Sequence, residues 1–378
     1  MFSPERKSRP SDYKKPEEEN RVEAFLNRPV LDENCPFCRG NEKDTDREIL
    51  QIQGDDGWQV RILENKFASL DRTKVPDKNF SLMCKEMDGF GIHDVIIDHP
   101  QHNMALANMP VKNAVTLMEA YKKRYIQVCD DPNVKHVVVF KNQGYKAGGS
   151  LQHPHSQIYG LPLMPFETKV RLQQMENYHV IHDNCLMCDI LKMELKEKKR
   201  IVYENDCFVA LVPFASLSPY HTWIVPKKHH ASFRECVDLE ALADIMTNVC
   251  HMSFHALENP DYNFILQSLS HYERESEYFH WYFSVIYHMV RRGGIEFAGG
   301  LFSNPLMPED AASHLLQHKL KKNNRPNFGP LTKLHFGNCL KLHISSAFID
   351  LTYFSISIIF FGRVLFGKTV TAKKFNCF

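Results

Sequence analysis

One order of motifs occurs twice along this 378-residue chain, and it constrains the fold more than any other feature. Each copy begins with a Cys-x-x-Cys pair, continues with a Glu-Asn dipeptide beside apolar residues, and ends with a segment bounded by histidines. The first copy runs through Cys35-Pro-Phe-Cys38, 63–70 and 93–102, and the second through Cys185-Leu-Met-Cys188, 203–211 and 221–229. A chain that repeats such a unit is expected to fold into two similar halves.

Each copy is followed by one helical pattern and one strand pattern. Apolar residues three and four apart predict helices over 115–128 and 239–255, and turns then lead into apolar strands over 137–140 and 262–266. Because the strands come in neighbouring pairs before a single helix, we expect an α+β fold with a mainly antiparallel sheet and helices packed on it. The two half-sheets are expected to join or to pack, so that both contribute to one cleft.

The same patterns divide the chain. We expect a first half over 1–165 that carries the chemistry, a second half over 166–315, and a divergent tail over 316–378. The tail contains an apolar stretch, 344–365, with Asp350 and Arg363 inside it. A membrane span needs about twenty apolar residues, so we expect a divergent tail in preference to a membrane anchor.

The two Cys-x-x-Cys pairs predict metal sites. Two thiolates from a short turn supply half of a tetrahedral zinc centre, and two further nitrogen or sulfur ligands complete it. Histidines stand at matching points of both repeats, with the same separation in each. We predict two zinc ions per chain, one on Cys35, Cys38, His102 and His153 and one on Cys185, Cys188, His229 and His280. Four protein ligands leave no open position, so these metals are expected to hold geometry.

An alternative interpretation makes Cys185 and Cys188 buried apolar thiols and His280 a core histidine beside Trp281. Recurrence at equivalent places favours the metal interpretation. Three other histidines compete for the ligand positions, and we expect them to be structural or surface residues: His99, His221 and His230.

A glycine-rich turn precedes two histidines that one proline separates, in the segment Asn142-Gln-Gly-Tyr-Lys-Ala-Gly-Gly-Ser-Leu-Gln-His-Pro-His-Ser-Gln157. Gly148 and Gly149 have no Cβ, so their backbone N–H groups can come close to a phosphate. In an extended segment His153 and His155 lie on one side, so one can bind a structural partner while the other faces substrate. A neutral imidazole is a nucleophile toward phosphorus, whereas Gln157 can only form hydrogen bonds. The segment therefore predicts transfer through a phospho-histidine.

These motifs resemble those of the galactose-1-phosphate uridylyltransferase family, a branch of the histidine-triad superfamily. The resemblance places the nucleophile of the family's H-P-H-x-Q run at His155. Triad hydrolases end this run with a third histidine, so Gln157 indicates the transferase branch. Ser156 and the residues around Asn142 look closer to the plant-type ADP-glucose phosphorylases than to the uridylyltransferases that carry glycine there. The resemblance also implies two histidine-triad-like halves, the same first zinc site, and a homodimer.

The resemblance further implies a substrate groove. Arg6 and Arg9 occupy the positions of a family motif, S-P-x-R-x-x-R, that contacts the nucleotide sugar; an ordinary basic tail is the alternative. Asn65 matches an asparagine that meets the nucleoside, although its repeat counterpart Asn205 leaves a structural turn role open. The resemblance assigns phosphate contacts to Asn142, Gly148, Gly149, Ser150 and Gln157, and a hexose contact to Glu296. The segment 291–296, which includes Ile295, could also present backbone amides to sugar hydroxyls. For Glu296 a solvated loop carboxylate is the alternative.

Composition limits the class of partner. The chain has 46 Lys and Arg against 45 Asp and Glu, so no overall basic field exists to attract nucleic acid or a membrane surface. Eleven cysteines without an N-terminal signal peptide indicate a reducing compartment, and we expect the cytoplasm. Because the resemblance begins almost at Met1, the completeness of the N-terminus stays open.

Together these observations predict a nucleotidyltransferase. It would move a nucleoside monophosphate from a nucleotide sugar, through a covalent nucleotidyl-histidine, to a hexose 1-phosphate or to inorganic phosphate. Two pairs of substrates stay open: UDP-glucose with galactose 1-phosphate, and ADP-glucose with phosphate. The alternatives are a non-catalytic zinc-stabilised nucleotide-binding protein, a triad-type nucleotide hydrolase and a zinc module for protein contacts.

Overall fold

A computed structural model describes residues 20–74, 78–81, 84–271 and 274–319 of the chain. The predicted substrate residues Arg6 and Arg9, and the tail beyond residue 319 with its apolar stretch, lie outside the described residues. Within those ranges, no helix has the length and apolar character that crossing a membrane requires.

The five strands of the large sheet and the long helix follow one another in the same order in the two halves. The first half contains α1 (Arg21–Leu26), β1 (Glu48–Gly54), β2 (Gly57–Glu64), β3 (Lys78–Ser81), β4 (Cys84–Met87), β5 (Ile92–Ile97), α2 (Val111–Cys129), β6 (His136–Gln143) and β7 (His155–Leu161). The second half contains α3 (Phe166–His182), α4 (Leu186–Glu197), β8 (Ile201–Glu204), β9 (Phe208–Leu211), β10 (Thr222–Pro226), α5 (Leu239–Ala256), β11 (Tyr262–Gln267), β12 (Tyr282–Tyr287), α6 (Gly294–Gly299) and α7 (Pro308–Leu316).

Ten of these strands form one antiparallel sheet. Their order is β1-β2-β5-β7-β6 in the first half, which continues as β11-β12-β10-β9-β8 in the second half, so the second order mirrors the first. Strands β3 and β4 pair separately as a hairpin. The predicted α+β fold with a mainly antiparallel sheet is confirmed. Of the two arrangements expected, the half-sheets join edge to edge, and β6 and β11 form the seam.

The long helices α2 and α5 cover one face of the sheet. They pack against each other, and one buried apolar cluster contains residues of both helices and of strands from both halves. Both helices were expected from the apolar spacing, although α2 begins at Val111, one turn earlier than predicted. Strands β6 and β11 contain the predicted 137–140 and 262–266 and extend past them. The halves thus share one core.

The opposite face of the sheet carries the Cys-x-x-Cys pairs. Phe37, from the first pair's turn, packs on a small cluster formed by Trp58, Leu63 and Ile97. Cys185 belongs to a second small cluster that includes strand residues of β9, β10 and β12. In the second half the pair lies at the start of α4. Cys185 directly precedes the first helical residue, Leu186, and Cys188 lies in the first turn of the helix. Successive side chains of a strand point to opposite faces of the sheet. The residues that face the apolar core therefore alternate with those that face the Cys-x-x-Cys pairs.

Candidate active site and metal-binding groups

The first Cys-x-x-Cys pair lies against the two histidines predicted as its partners. Sγ of Cys38 is 3.5 Å from Nδ1 of both His102 and His153, and Sγ of Cys35 is 3.6 Å from Nδ1 of His153. All four residues are buried, and their ligand atoms lie within 4.8 Å of one another. Tetrahedral zinc bonds to sulfur and nitrogen place such atoms about 3.6 Å apart. The donor set and its spacing therefore fit a metal ion.

The second pair repeats this arrangement. Sγ of Cys188 is 3.2 Å from Nδ1 of His229 and 3.5 Å from Nδ1 of His280, and Cys185 completes a group whose ligand atoms again lie within 4.8 Å. The grouping favours the metal interpretation over isolated buried thiols. The competing histidines bind elsewhere: His221 contacts Ser284, His230 contacts Glu235, and His99 accepts from the N–H of Gln101.

Carbonyl oxygens orient one histidine of each group in the same way. Nε2 of His153 lies 2.8 Å from the His99 carbonyl oxygen, and Nε2 of His229 lies 2.8 Å from the Ser276 carbonyl oxygen. A ring that donates from Nε2 keeps the lone pair of Nδ1 for a ligand role. The hydrogen bond from the partner thiol lowers the pKa of Cys38 in the first group and of Cys185 in the second.

An open cleft on this face exposes part of the H-P-H-S-Q segment. His155 and Gln157 line the cleft together with Asn65 and Ser150. Phe37 also lines it, and its ring meets the His155 ring edge-on at a centroid distance of 5.3 Å. The turn that supplies Cys35 and Cys38 therefore supports the imidazole of His155 as well.

The His155 imidazole is held in one tautomer. Its Nδ1 lies 2.8 Å from the carbonyl oxygen of His153, which is the backbone contact expected of a nucleophilic histidine, so Nδ1 carries the hydrogen and Nε2 has the lone pair. The residue is 6% exposed, and burial lowers its pKa to about 4. A neutral ring with a free electron pair is the form that can attack phosphorus.

A histidine that the sequence analysis did not single out fixes Gln157. Nδ1 of His93 accepts from the N–H of Ser69 at 3.0 Å, so Nε2 carries the hydrogen and donates to Oε1 of Gln157 at 2.9 Å. The signal was present in the sequence, because His93 and His221 stand at the same point of the two repeats. Repetition alone did not show which side chain each of them would contact.

Asn65 lines the cleft and also has a structural role. Its Oδ1 accepts from the N–H of Phe67 at 2.9 Å. The repeat counterpart Asn205 makes the same turn, with Oδ1 accepting from the N–H of Cys207 at 3.2 Å. The turn role is therefore common to both asparagines, and only Asn65 adds a position in the cleft.

The glycine turn uses its two predicted phosphate donors internally. The N–H of Gly148 donates to the Tyr145 carbonyl at 3.0 Å, and the N–H of Gly149 donates to the Gly144 carbonyl at 2.9 Å. Gly148 has φ of +81°, a conformation in which glycine has little steric cost. Both amides thus close the turn, and Ser150, which follows it, is the residue of this group that reaches the cleft.

A buried ion pair lies behind the His155 strand. Nζ of Lys141 is 2.7 Å from Oδ2 of Asp98 and donates to the His155 carbonyl at 3.2 Å, and neither charged side chain has measurable exposure. Ser156 donates to Oδ1 of Asp98 at 2.9 Å, and its hydroxyl is 2.5 Å from the Tyr121 hydroxyl. Ser156, whose identity resembles the plant-type phosphorylases, is therefore part of a polar network beneath the candidate nucleophile.

The predicted hexose residues lie on α6. Ile295 is 55% exposed, and neither it nor Glu296 is among the described residues that line the cleft. The Glu296 carboxylate accepts from the N–H groups of Gly293 at 2.8 Å and Ser303 at 3.2 Å, and the Gly293 bond is the main reason for its lowered pKa. Glu296 thus caps the short helix α6, and its hexose role stays a prediction.

Comparison with known proteins agrees with this geometry. The model of the galactose-1-phosphate uridyl transferase N-terminal domain matches residues 1–165, and the model of the C-terminal domain matches residues 171–324. The ADP-glucose phosphorylase of Arabidopsis thaliana is 31% identical over 322 residues, which are 82% of this chain and 88% of that protein. The galactose-1-phosphate uridylyltransferase of Thermotoga maritima is 28% identical over 315 residues, which are 79% and 94% of the two chains.

Solved structures show the same likeness. A GALT-like protein from Arabidopsis thaliana superposes with a TM-score of 0.68 at 30% identity, over 81% of this chain and 100% of its own. An ADP-glucose phosphorylase from the same plant, solved with bound ADP-glucose, gives a TM-score of 0.68 at 29% identity, over 79% and 94% of the two chains. The chain is therefore a nucleotidyltransferase that belongs to the galactose-1-phosphate uridyl transferase family.

Proposed function

We propose that this chain moves a nucleoside monophosphate from a nucleotide sugar to an acceptor phosphate, with His155 as the nucleophile. The observation that carries the proposal is the state of the His155 ring. Its Nδ1 is bound to the His153 carbonyl, its burial keeps it neutral, and it faces the cleft beside Gln157 and Ser150. This geometry leaves Nε2 as the nitrogen that reacts.

The reaction has two displacement steps at the α-phosphorus. In the first step Nε2 of His155 forms a bond to phosphorus, and the phosphorus–oxygen bond to the departing sugar 1-phosphate breaks. In the second step an oxygen of the acceptor phosphate forms the new bond, and the phosphorus–nitrogen bond breaks. Charge develops on the non-bridging oxygens in both steps. Because His93 holds Oε1 of Gln157, the amide nitrogen of Gln157 is the end that can stabilise this charge, and Ser150 lines the same cleft.

The donor favoured by the similarities is ADP-glucose, with inorganic phosphate as acceptor. The Arabidopsis protein named ADP-glucose phosphorylase covers 82% of this chain at 31% identity. Ser156, the residue that resembles the plant-type phosphorylases, donates to Asp98 in the polar network beneath His155. UDP-glucose with galactose 1-phosphate is the second candidate, because the Thermotoga uridylyltransferase is similar along 94% of its length. We assign substrate contacts to Arg6, Arg9, Asn65, Asn142, Gly148, Gly149, Ser150, Gln157, Ile295 and Glu296.

The two Cys2His2 groups are assigned to zinc, two ions per chain. The spacing of sulfur and nitrogen atoms supports tetrahedral coordination by borderline-soft ligands. When bound, the first ion would fix His153 and, through its carbonyl, the tautomer of His155. Four protein ligands would close each group, so a bound metal would supply rigidity in place of activated water.

A homodimer in the cytoplasm is part of the proposal. The exposed apolar side chains on α3 and α6 support an interface, and they include Phe166 at 75%, Val180 at 70% and Phe297 at 77%. The described cysteines are free thiols, as a reducing compartment and a thiolate metal centre require. We set the boundary between the halves at 165/166, with the tail from residue 316 as a separate segment.

Intact-protein mass spectrometry tests the function directly. The metal-loaded protein is mixed separately with ADP-glucose and with UDP-glucose, without acceptor. An added adenylyl mass supports the phosphorylase assignment, and an added uridylyl mass supports the uridylyltransferase assignment. If folded, metal-loaded protein gains neither mass, the proposal is wrong and the non-catalytic nucleotide-binding alternative replaces it. If the adduct forms but decays to free nucleoside monophosphate as fast with phosphate acceptors as without, the hydrolase alternative is correct.

A further inference from the structure

The seam between the two halves passes through the candidate phosphate site. In the β6–β11 pairing, Asn142 of the first half lies directly opposite Asn263 of the second half. Nδ2 of Asn263 donates to Oδ1 of Asn142 at 2.8 Å and to the carbonyl oxygen of Ala147 at 3.0 Å. One amide group of the second half therefore contacts both the end of β6 and the glycine turn that follows it.

Asp261, two residues before Asn263, holds the other end of the same turn. Its Oδ2 accepts from the N–H of Lys146 at 2.6 Å, and its carboxylate pairs with Arg21 of α1. Gly144 has φ of +91°, and a Cβ at this position would collide with the Asp261 carboxylate. Close approach to a second-half side chain is thus the local reason for this glycine. Asp261 is 3% exposed, so the contact is inside the protein.

The second half lacks the chemistry that its repeat position would give it. Ser284 stands opposite Trp223 on β10, as Gln157 stands opposite Val95 on β5. Tyr282 therefore occupies the register position of His155, two residues after the metal-group histidine in each half. A phenol has no ring nitrogen, so Tyr282 cannot supply the imidazole lone pair that His155 offers in the first half. The second half keeps the metal group and loses the nucleophile.

We propose that Asp261 and Asn263 are positioning residues. Through them the second half sets the shape of the glycine turn, which belongs to the candidate phosphate site of the first half. The inference rests on the proposed function and adds a role for the half that has no nucleophile. Oδ1 of Asn142 accepts the hydrogen bond from Asn263. The amide nitrogen of Asn142 is then the end of this side chain that can donate to a phosphate. Asp261 and Asn263 together hold the backbone from residue 144 to residue 147, directly before Gly148 and Ser150.

His288 completes this arrangement. Its Nε2 donates to Oδ1 of Asn263 at 2.5 Å, so the amide of Asn263 has its oxygen and its nitrogen fixed on opposite sides. The N–H of His288 donates to the Asp261 carbonyl at 2.9 Å. Because His288 directly follows β12, these bonds tie the strand that repeats β7 to the turn beside the active site.

The variant Asn263→Asp tests the proposal with almost no change of shape. It replaces the N–H donor by a carboxylate oxygen and sets two oxygens against each other at Asn142 and at the Ala147 carbonyl. We expect the rate of nucleotidyl-adduct formation to fall about tenfold to a hundredfold, as small displacements of reacting groups do. The metal content is expected to stay at the wild-type level. Asn177→Asp, on the exposed side of α3, introduces the same charge as a matched control and is expected to react like the wild type.

A measurement that needs no turnover separates this inference from the proposed function. Amide hydrogen exchange of residues 144–149 is expected to be faster in Asn263→Asp than in Asn177→Asp. Wild-type protein that forms no adduct contradicts the proposed function, whereas unchanged exchange in Asn263→Asp contradicts the inference alone. A rate of adduct formation in Asn263→Asp equal to that of the wild type also contradicts the inference.

Variants of His288 test the same positioning role if Asn263→Asp does not fold. His288→Leu removes the donor to Asn263, and we expect a slower adduct rate and faster exchange of the turn. His288→Gln restores an N–H donor, and we expect it to recover most of the wild-type rate with a wild-type KM. If His288→Leu and His288→Gln behave alike in both measurements, the positioning role is wrong.

Discussion

Nδ1 of His155 donates a hydrogen bond to the carbonyl oxygen of His153 at 2.8 Å, so the candidate nucleophile is oriented by the backbone of a candidate metal ligand. The Nδ1 atom of His153 lies at 3.5 to 3.6 Å from the two cysteine sulfurs. A single backbone unit therefore connects the metal group to the reacting ring. This link gives the candidate metal group a structural role beside the candidate active site.

Replacement of His155 by alanine is expected to abolish the covalent adduct. Removing a nucleophile costs on the order of 10⁴-fold or more in turnover. Initial rates with the preferred nucleotide sugar and intact mass spectrometry measure the effect. His182→Ala, on the exposed end of α3, is the matched control and should retain activity. An adduct that still forms on His155→Ala protein would show that another residue is the nucleophile.

The two metal groups should differ in their effect on activity. Cys38→Ser weakens the group whose His153 orients His155, so we expect one metal ion to be lost together with most of the transfer activity. Cys188→Ser weakens the second group, and we expect an equal loss of metal, a lower Tm and a smaller loss of activity per folded molecule. Elemental analysis, thermal unfolding and initial rates make the comparison. Equal loss of activity in the two variants would contradict the orienting role of the first group.

Gln157→His should move the outcome from transfer toward hydrolysis. Glutamine cannot accept a proton, whereas an imidazole at this position can activate a water molecule against the nucleotidyl-histidine. We expect a higher ratio of free nucleoside monophosphate to transfer product. Chromatography of the nucleotide products gives the ratio, with wild-type protein as reference. An unchanged ratio would contradict the argument that Gln157 distinguishes the transferase branch.

The buried pair of Lys141 and Asp98 should show strong coupling in stability. Lys141→Met leaves a fully buried carboxylate without its cation, and we expect a cost of about 3–5 kcal/mol in the free energy of unfolding. Asp98→Leu leaves the opposite charge unpaired and should cost a similar amount. The double variant removes both charges, so its cost should be smaller than the sum of the two. Urea unfolding of all four proteins tests this, and additive costs would contradict the coupling.

His221 should make the stability depend on pH. Its Nδ1 accepts from the N–H of Leu217 at 3.2 Å, its Nε2 lies 2.8 Å from the Ser284 hydroxyl, and burial lowers its pKa from 6.5 to about 3. The unfolded chain therefore binds one more proton between pH 6.5 and pH 3. Stability is fully present above pH 6.5 and falls as the pH decreases through this window, by up to about 1.4 kcal/mol per pH unit.

His221→Gln is the variant that isolates this contribution. Glutamine can accept from Leu217 and donate to Ser284 without titrating. Urea unfolding between pH 4 and pH 8 should show a shallower decrease of stability in the variant than in the wild type. Identical slopes would mean that His221 is not the residue that takes up the proton.

The local sequence predicted the metal groups well because their chemistry is carried by residue type and repetition. Cys35, Cys38, His102 and His153 were grouped from spacing, and the structure brings their ligand atoms within 4.8 Å. The amides of Gly148 and Gly149 were assigned to phosphate from glycine's conformational freedom and from the family resemblance. The structure uses both N–H groups to close the turn, because nearby carbonyls compete for the same donors.

The sequence by itself determined that the chain repeats one αβ unit, which residues form two Cys2His2 groups, and that one half alone keeps the H-P-H-S-Q segment. These features depend on residue identity and on periods of a few residues, and both are visible along the chain. Only the tertiary structure decided that β6 and β11 join the halves, that Asn142 faces Asn263, and that Lys141 meets Asp98 behind His155. Such contacts depend on strand register between distant segments, which packing of the shared core selects and no local pattern records.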